Sequence, residues 1–423
     1  MRIPDIAFFD TFIKYDRLRE KDLDRYTREL ASGKKILTPS DNTVDNIRSL
    51  RFKRLTSDIQ AYNRNIDMVK TSLDVAESTL GNIVDAAQET RVEIIQLLNT
   101  GVLDEEDANV LRDYFDSMRN YIIKQANVKI GDSGLFGGVK TQIDAFDTRG
   151  IYQGEFVETT VPISKGVELN TTFNGVEYLG TIQSGVWNDT NSNNIVDPDE
   201  VSNKIGIVKA LDDIIQIIDS GELYKLHGYF SDMGYNSSSD PLVAPTESGT
   251  LTIRYGSYTL NINYDGDTAD PTNPSTLDEL VNAINSDPTN QDIEAFVFQD
   301  RDGVYRLGLV AKNDPSTPIE VSDSSGALMK RLGSVSPILE TFDKGFKGVS
   351  AHRSIIGTQI NVADNIKSQN ELVNVLYSEL ISKIEDTDYA GVISELEKSK
   401  TAYQALLASI AQNKDLSLLK FYD

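Results

Sequence analysis

Apolar side chains recur along residues 52–97 in alternating steps of three and four, with no change of phase. The positions are Phe52, Leu55, Ile59, Tyr62, Ile66, Val69, Leu73, Ala76, Leu80, Ile83, Ala87, Thr90, Ile94 and Leu97, with Thr90 the single polar member. In a chain that is 39% hydrophobic, so sustained a heptad predicts one continuous helix. At 1.5 Å per residue that helix is about 70 Å long, and its seam must be buried against other helices.

Thr38-Pro39-Ser40-Asp41 reads as its start, with Thr38 as N-cap and Pro39 in the first helical position. Asn99-Thr100-Gly101 reads as its end. Before it, an opening helix carries Phe8, Phe12, Tyr15, Leu23, Tyr26 and Leu30 and stops at Ser32-Gly33-Lys34. After it, a shorter amphipathic helix from about Asp104 carries Ala108, Leu111, Phe115, Met118 and Ile122.

The C-terminal region repeats this design. Val362, Ile366, Gln369, Val373, Leu376 and Leu380 keep heptad spacing up to a break at Glu385-Asp386-Thr387-Asp388. A last helix comes next, with Val392, Leu396, Ser399, Tyr403, Leu406 and Ile410 on its seam, and Leu416 and Leu419 beyond. Heptads at both ends of one chain imply that the ends pack together as an antiparallel bundle while the middle loops out.

The middle changes to period-2 stretches, such as 250–253, 258–262 and 295–298, divided by turn signals at Asp265-Gly266 and Asp302-Gly303. Two short helices interrupt them, one carrying Ile205, Val208, Leu211, Ile214, Ile215 and Ile218, the other over 276–285. The predicted fold class is therefore multidomain, a long antiparallel coiled-coil bundle with an inserted, mostly β, α+β region. Residues 1–40 and 385–423 are expected as terminal assembly helices, and 41–147 with 346–384 as the rod. Residues 148–240 and 241–345 are expected as the two halves of the insert.

Composition narrows the function. The formal charge of −24 argues against nucleic acid and membrane surfaces as partners. With no cysteine and only His227 and His352, thiol chemistry is excluded and histidine-based catalysis has two candidates, neither with a nucleophile or metal partner at a recognised spacing. Asp386 and Asp388 precede a helix and read as caps. No apolar run approaches membrane-span length, and the opening MRIPDIAFFD lacks the order of a secretory signal. A non-enzymatic, structural protein is expected.

One loop carries candidate metal chemistry. Asp189, Asn191, Asn193, Ile195, Asp197 and Glu200 stand at positions 1, 3, 5, 7, 9 and 12 of an EF-hand-like loop, with Ile195 offering its carbonyl and Asn194 in place of the usual glycine. The preceding Gly185-Val186-Trp187 reads as strand rather than helix. The loop is thus either a structural calcium brace or a plain acidic loop capping the next helix.

Local motifs give a resemblance. Leu30-Ala31-Ser32-Gly33-Lys34-Lys35, Pro39-Ser40-Asp41, Asn65-Ile66, Ala126-Asn127 and Leu135-Phe136-Gly137-Gly138 come in the order of the bacterial flagellin family. Gly357, Asn361, Asp386-Thr387-Asp388-Tyr389-Ala390, Tyr403-Gln404-Ala405 and Leu416-Ser417-Leu418-Leu419 do the same near the C-terminus. Tyr152-Gln153-Gly154 and Ile163-Ser164-Lys165-Gly166-Val167 are similar to a sheet segment of its hook-filament junction members, and 249–295 is similar to a module shared by axial flagellar proteins. Asn42 stands where many relatives have aspartate, and Met1–Ile13 departs from the usual start.

The resemblance implies an extracellular, flagellar, structural role. It implies flagellin and hook-associated neighbours, self-association in a ring, type III export, and an export chaperone on the C-terminal segment. No cofactor is required by it. Assembly would be carried by Phe8, Phe12, Leu23, Tyr26, Leu30, Leu396, Tyr403, Leu406, Ile410, Leu416 and Leu419, folding when neighbours supply partner helices. A filament flagellin is the alternative within the family, and a coiled-coil surface adhesin with a calcium-braced insert is the alternative of another class.

Overall fold

A computed structural model describes residues 3–99, 105–269, 272–290, 292–315 and 317–419. The chain forms two compact units, one of residues 1–64 and 365–423, the other of residues 65–364. Long helices from both ends and a central region of small sheets match the predicted class.

In the unit of both termini, α1 (Ile3–Ser32) packs along α9 (Tyr389–Leu419). The same unit holds the first part of α2 (Thr43–Asn99) and the last part of α8 (Ile338–Glu385). The Phe52 and Tyr377 rings lie 5.6 Å apart, and Asn370 Nδ2 donates to Asn63 Oδ1 at 2.9 Å. Residue numbers fall on α8 as they rise on α2, so the two helices are antiparallel.

The start of α2 corrects the sequence reading. Asp41 Oδ2 accepts from the backbone N–H of Leu37 (3.0 Å) and Thr38 (2.7 Å), closing 38–41 into a turn of its own. The cap is instead Asn42, whose Oδ1 accepts from Asp45 N at 3.1 Å. Asp41 N donates to Thr38 O at 3.0 Å, and the Thr38 hydroxyl pairs with Ser40 Oγ at 2.9 Å rather than with a helix N–H.

In the unit of residues 65–364, the predicted α2 seam is buried at every position from Ile66 to Leu97. The hydroxyl of Thr90, the polar member, donates to Ala86 O at 2.8 Å, so no unmet donor is carried into the interior. Lys70 meets Asp364 (2.6 Å), Arg353 meets Glu77 (2.9 Å) and Arg91 meets Asp343 (2.6 Å), continuing the antiparallel α2–α8 pairing. On α8 the buried positions include Ile338, Phe342, Val349, Ile356 and Ala363. The predicted seam is right at Ile366, Val373 and Leu380. It is one residue early at Val362, Gln369 and Leu376, where Ala363, Asn370 and Tyr377 turn inward.

α3 (Glu105–Ala126) buries Ala108, Phe115 and Ile122 as expected. The short α4 (Gly175–Tyr178) precedes α5 (Gly206–Ser220), which packs on α3 and ends at Gly221 in the left-handed region, φ 72°. α6 (Leu277–Ser286) is capped by Thr276 and reinforced by Glu279, whose carboxylate accepts from Ser275 N and Oγ, both at 2.9 Å. α7 (Ala327–Leu332) comes after the last long strand pair.

The strands Tyr258–Asp265, Ser248–Tyr255 and Ile319–Asp323 form one antiparallel sheet, turning at Gly256 (φ 58°). A four-stranded sheet is ordered Ile293–Gln299, Tyr305–Ala311, Tyr229–Ser231, Val335–Pro337. It takes strands from both sides of residue 240. Leu251, Ile253, Leu260, Leu280, Ile284 and Leu307 fill the core between these sheets and α6.

Buried charges tie α3, α5 and the 299–306 hairpin together. Arg306 bonds Asp213, lies 3.3 Å from Asp300, and donates from Nη1 to Ser231 O at 3.0 Å. Lys204 sits between Asp212 (2.7 Å) and Asp302 (2.5 Å), and Arg119 reaches Asp212 at 2.6 Å. Removing one partner of such a pair would strand the other in a low-dielectric interior.

Candidate functional site

The two breaks between terminal helices, distant in sequence, meet in a clasp. Lys35 N donates to Glu385 O at 2.6 Å and Thr387 N to Gly33 O at 3.0 Å. Lys34 Nζ reaches Asp386 Oδ1 at 2.6 Å, while Glu385 holds Ser49 Oγ and Lys53 Nζ. The hydrogen bond from Lys34 holds Asp386 below the usual carboxylate range and raises the Lys34 ammonium in turn. Partial burial opposes ionisation of Glu385, but Lys53 and Ser49 outweigh it and its carboxyl is lowered.

Gly33 makes the clasp possible. Its φ is +69°, and a Cβ there would lie 2.7 Å from the Tyr389 hydroxyl oxygen, so an L side chain would be both strained and obstructed. Asp388 Oδ1 accepts from Ala390 N (3.1 Å) and Gly391 N (3.2 Å), capping α9 as expected. Asp386 serves the clasp instead. The motif residues Ser32-Gly33-Lys34 and Asp386 to Tyr389 are thus parts of one structure.

Of the expected assembly residues, Phe12, Leu23, Tyr26 and Leu30 on α1 and Leu396, Tyr403 and Leu406 on α9 are half-buried. The side chains of Phe8, Ile410, Leu416 and Leu419 lie outside the described residues. Among the described residues, the most exposed apolar side chains of this unit are others. They are Ile13, Tyr15 and Leu18 on α1, Val44, Ile47 and Leu50 on α2, Leu372, Val375 and Leu376 on α8, and Tyr389, Ile393 and Leu407 on α9. The sequence signal for them is adjacent apolar residues, such as Leu372-Val373 and Val375-Leu376, which no single seam can absorb.

A second motif pair meets in the unit of residues 65–364. Glu155 N donates to Gly137 O at 3.1 Å, and Gly138 adopts φ +61°. A Cβ on Gly154 would lie 2.4 Å from the Tyr152 hydroxyl oxygen. Leu135-Phe136-Gly137-Gly138 and Tyr152-Gln153-Gly154 are therefore one packed platform, with the Phe146 ring tilted against Tyr152 at 5.3 Å.

The 189–200 loop lies beside it in sequence. Asp189 accepts from Asn193 N (3.2 Å) and Asn194 N (3.0 Å), and Asn194 takes φ 57° where an EF-hand loop has glycine. Asp197 Oδ2 accepts from the side-chain amides of Asn191 and Asn193, both at 2.8 Å. Glu200 is buried and accepts from Trp187 Nε1 (3.1 Å), Thr190 N (2.8 Å) and Thr190 Oγ1 (3.0 Å). Desolvation pushes its carboxyl up, yet these donors together hold it below the usual range. Ile195 N donates to Asn193 Oδ1 at 2.6 Å. Among the described residues no three His, Cys, Asp or Glu gather into a metal-holding group.

Neither histidine is set up for catalysis. His352 Nδ1 lies 3.0 Å from Gly348 O and its ring 4.9 Å from Tyr178, while His227 ends a 3-10 turn. Trp187 is buried under Arg331, whose guanidinium is 4.7 Å from the ring centroid. Among the described residues no helix is long and apolar enough to cross a membrane.

Residues 17–140 match the profile of the bacterial flagellin N-terminal helical region. The likeness is to a flagellin N-terminal region, over those residues. The matched stretch takes in the clasp residues Gly33 to Lys35, the whole of α2 and α3, and the glycine platform at 137–138. The fold is similar to a putative flagellar hook-associated protein from Vibrio parahaemolyticus, at 15% identity over 82% of this chain and 100% of that one, TM-score 0.44. It is also similar to the flagellar junction protein FlgL from Legionella pneumophila (14%, 80% and 100%, 0.43) and to Xanthomonas campestris FlgL (15%, 78% and 99%, 0.44). No curated protein sequence matches the chain.

Proposed function

We propose that this protein is a structural element of the bacterial flagellum that joins the hook-associated ring to the filament. The observation that carries the reading is the flagellin region running through a unit in which both chain ends pair. α1 and α9 bury their facing residues only halfway, so each helix keeps apolar surface for neighbours. Folding of the terminal helices is then completed by assembly, as adjacent copies and flagellin-type subunits cover what one chain leaves exposed. Flagellin and hook-associated proteins are the neighbours, copies of the chain close into a ring, and a chaperone shields the C-terminal segment during type III export to the outside.

The test is Leu396→Asp with Leu406→Asp. The variant should keep the Trp187 environment of the 65–364 unit yet leave filaments unattached; normal attachment would refute the mechanism. Deleting the whole chain separates a junction role from that of a filament subunit, since the first predicts free filaments with hooks in place and the second predicts no filament.

A second reading concerns the 189–200 loop. Its left-handed Asn194 and the paired acceptance of Asp189 from residues 193 and 194 support a calcium brace, with Asn191, Asn193 and the Ile195 carbonyl as further oxygen donors and Glu200 released from Trp187 to complete the set. Calcium should then raise the thermal midpoint of the wild type and leave Glu200→Ala unmoved. Equal midpoints with and without calcium in the wild type would assign the loop to hydrogen bonding alone.

A further inference from the structure

The assembly reading does not say which helix faces meet, and two faces of the unit formed by 1–64 and 365–423 answer each other. On α1, Ile13 and Leu18, each 47% exposed, lie among Lys14, Arg17 and Lys21, which make no salt bridge among the described residues. On α8, Leu372 (74% exposed) and Val375 (58%) lie between Glu371 and Glu379, which are likewise exposed and without a salt bridge among the described residues. Each helix also carries one charge of the opposite sign at the far end of the stripe, Asp10 on α1 and Lys383 on α8.

Those end charges fix a direction. From Asp10 to Lys21 is about 16 Å along a helix, and from Glu371 to Lys383 about 18 Å. Laid antiparallel, Asp10 faces Lys383, Lys14 faces Glu379, Leu18 faces Val375, and Lys21 faces Glu371 and Leu372. Laid parallel, Asp10 would meet Glu371 and Lys21 would meet Lys383, with repulsion at both ends. The apolar face of α2 at Val44, Ile47 and Leu50 is also flanked by exposed basic residues, Arg51 and Arg54, but its exposed acid, Asp58, lies beyond them and would meet Lys383 only in the parallel sense.

We propose that α1 of one copy docks antiparallel on α8 of a second copy through these stripes. The proposal rests on the assembly reading and names the partner surface for it. The contact is heterologous, one face given and another received, so it generates a ring or a helical array rather than a closed pair. Faces about 12 residues long bury well under the roughly 1,000 Å² a stable pair requires, so the contact holds as one of several in an array.

The chain has no cysteine, which makes the test direct. Full-length Leu18→Cys and Val375→Cys chains, one carrying a mass tag, are mixed under assembly conditions and oxidised. The expected product is a disulfide-linked heterodimer of the two variants. It should be lost when Lys14→Glu and Lys21→Glu are added to the first chain, and should return when Glu371→Lys and Glu379→Lys are added to the second. Assembled material that links Leu18→Cys only to itself, or a doubly substituted chain that closes on itself instead, would overturn this pairing while leaving assembly standing. Folded chains, checked by circular dichroism, that never assemble would overturn the reading beneath it and the pairing with it.

Discussion

Burial pushes the Lys209 ammonium down to about 8, and the Arg306 guanidinium adds to the effect, against the pull of Asp213, Asp232 and Asp300. Its Nζ has no hydrogen-bond partner among the described residues. Above pH 8 the folded chain holds Lys209 neutral while the unfolded chain keeps it charged up to its ordinary 10.5, so stability rises with pH in that interval. Tyr152, Tyr178 and Tyr264, pushed up by burial to about 12, act with the opposite sign once pH passes 10. Unfolding in urea should therefore show a gain of about 2 kcal/mol between pH 8 and 10, absent in Lys209→Met, which should be the more stable protein at pH 7. None of this was legible in the sequence. Lys209, Asp212, Asp213 and Arg306 are charged types that pattern reading assigns to solvent, and their burial comes from the partners that α3, α5 and the 299–306 hairpin bring to one place. Asp388 as a cap was legible, because that role depends only on the residues next to it.

At the scale of elements, heptad spacing located α2 and its inward face because the seam from Ile66 to Leu97 is buried throughout and carries one polar residue, Thr90. α8 was harder. Its inward residues include Ala363, Asn370 and Tyr377, and its outward ones include Val362, Leu372 and Leu376, so ranking by hydrophobicity moves the seam by one residue at every other step. The same imbalance separates helices by stability. The α2 seam from Ile66 to Leu97 is fully buried, whereas α1 and α9 are half-covered by each other. Amide hydrogen exchange on the unassembled chain should find the core amides of α2 slowest and those of α1 and α9 faster by several powers of ten. Comparable protection in the three helices would contradict assembly-completed folding.

For the whole molecule, two compact units with unequal burial predict two unfolding events. Trp187, the only tryptophan, lies in the 65–364 unit, while much of the helical signal comes from α1, α9 and the ends of α2 and α8. On heating, far-ultraviolet circular dichroism should begin to fall before tryptophan fluorescence changes. Coincident curves would mean that the terminal helices melt together with the insert. The paired ends and the β-rich middle were readable from where the period changed. The meeting of strands across residue 240 was not, because pairing between distant strands leaves no local trace.

The clasp at residues 33–35 and 385–387 ties together positions about 350 residues apart. No nascent chain can form it before residues 385–387 are made, because they supply the second half of the knot. The turn that ends α1 is thus locked only by residues made about 350 positions later, so the first helix of this unit waits on the last for its anchor.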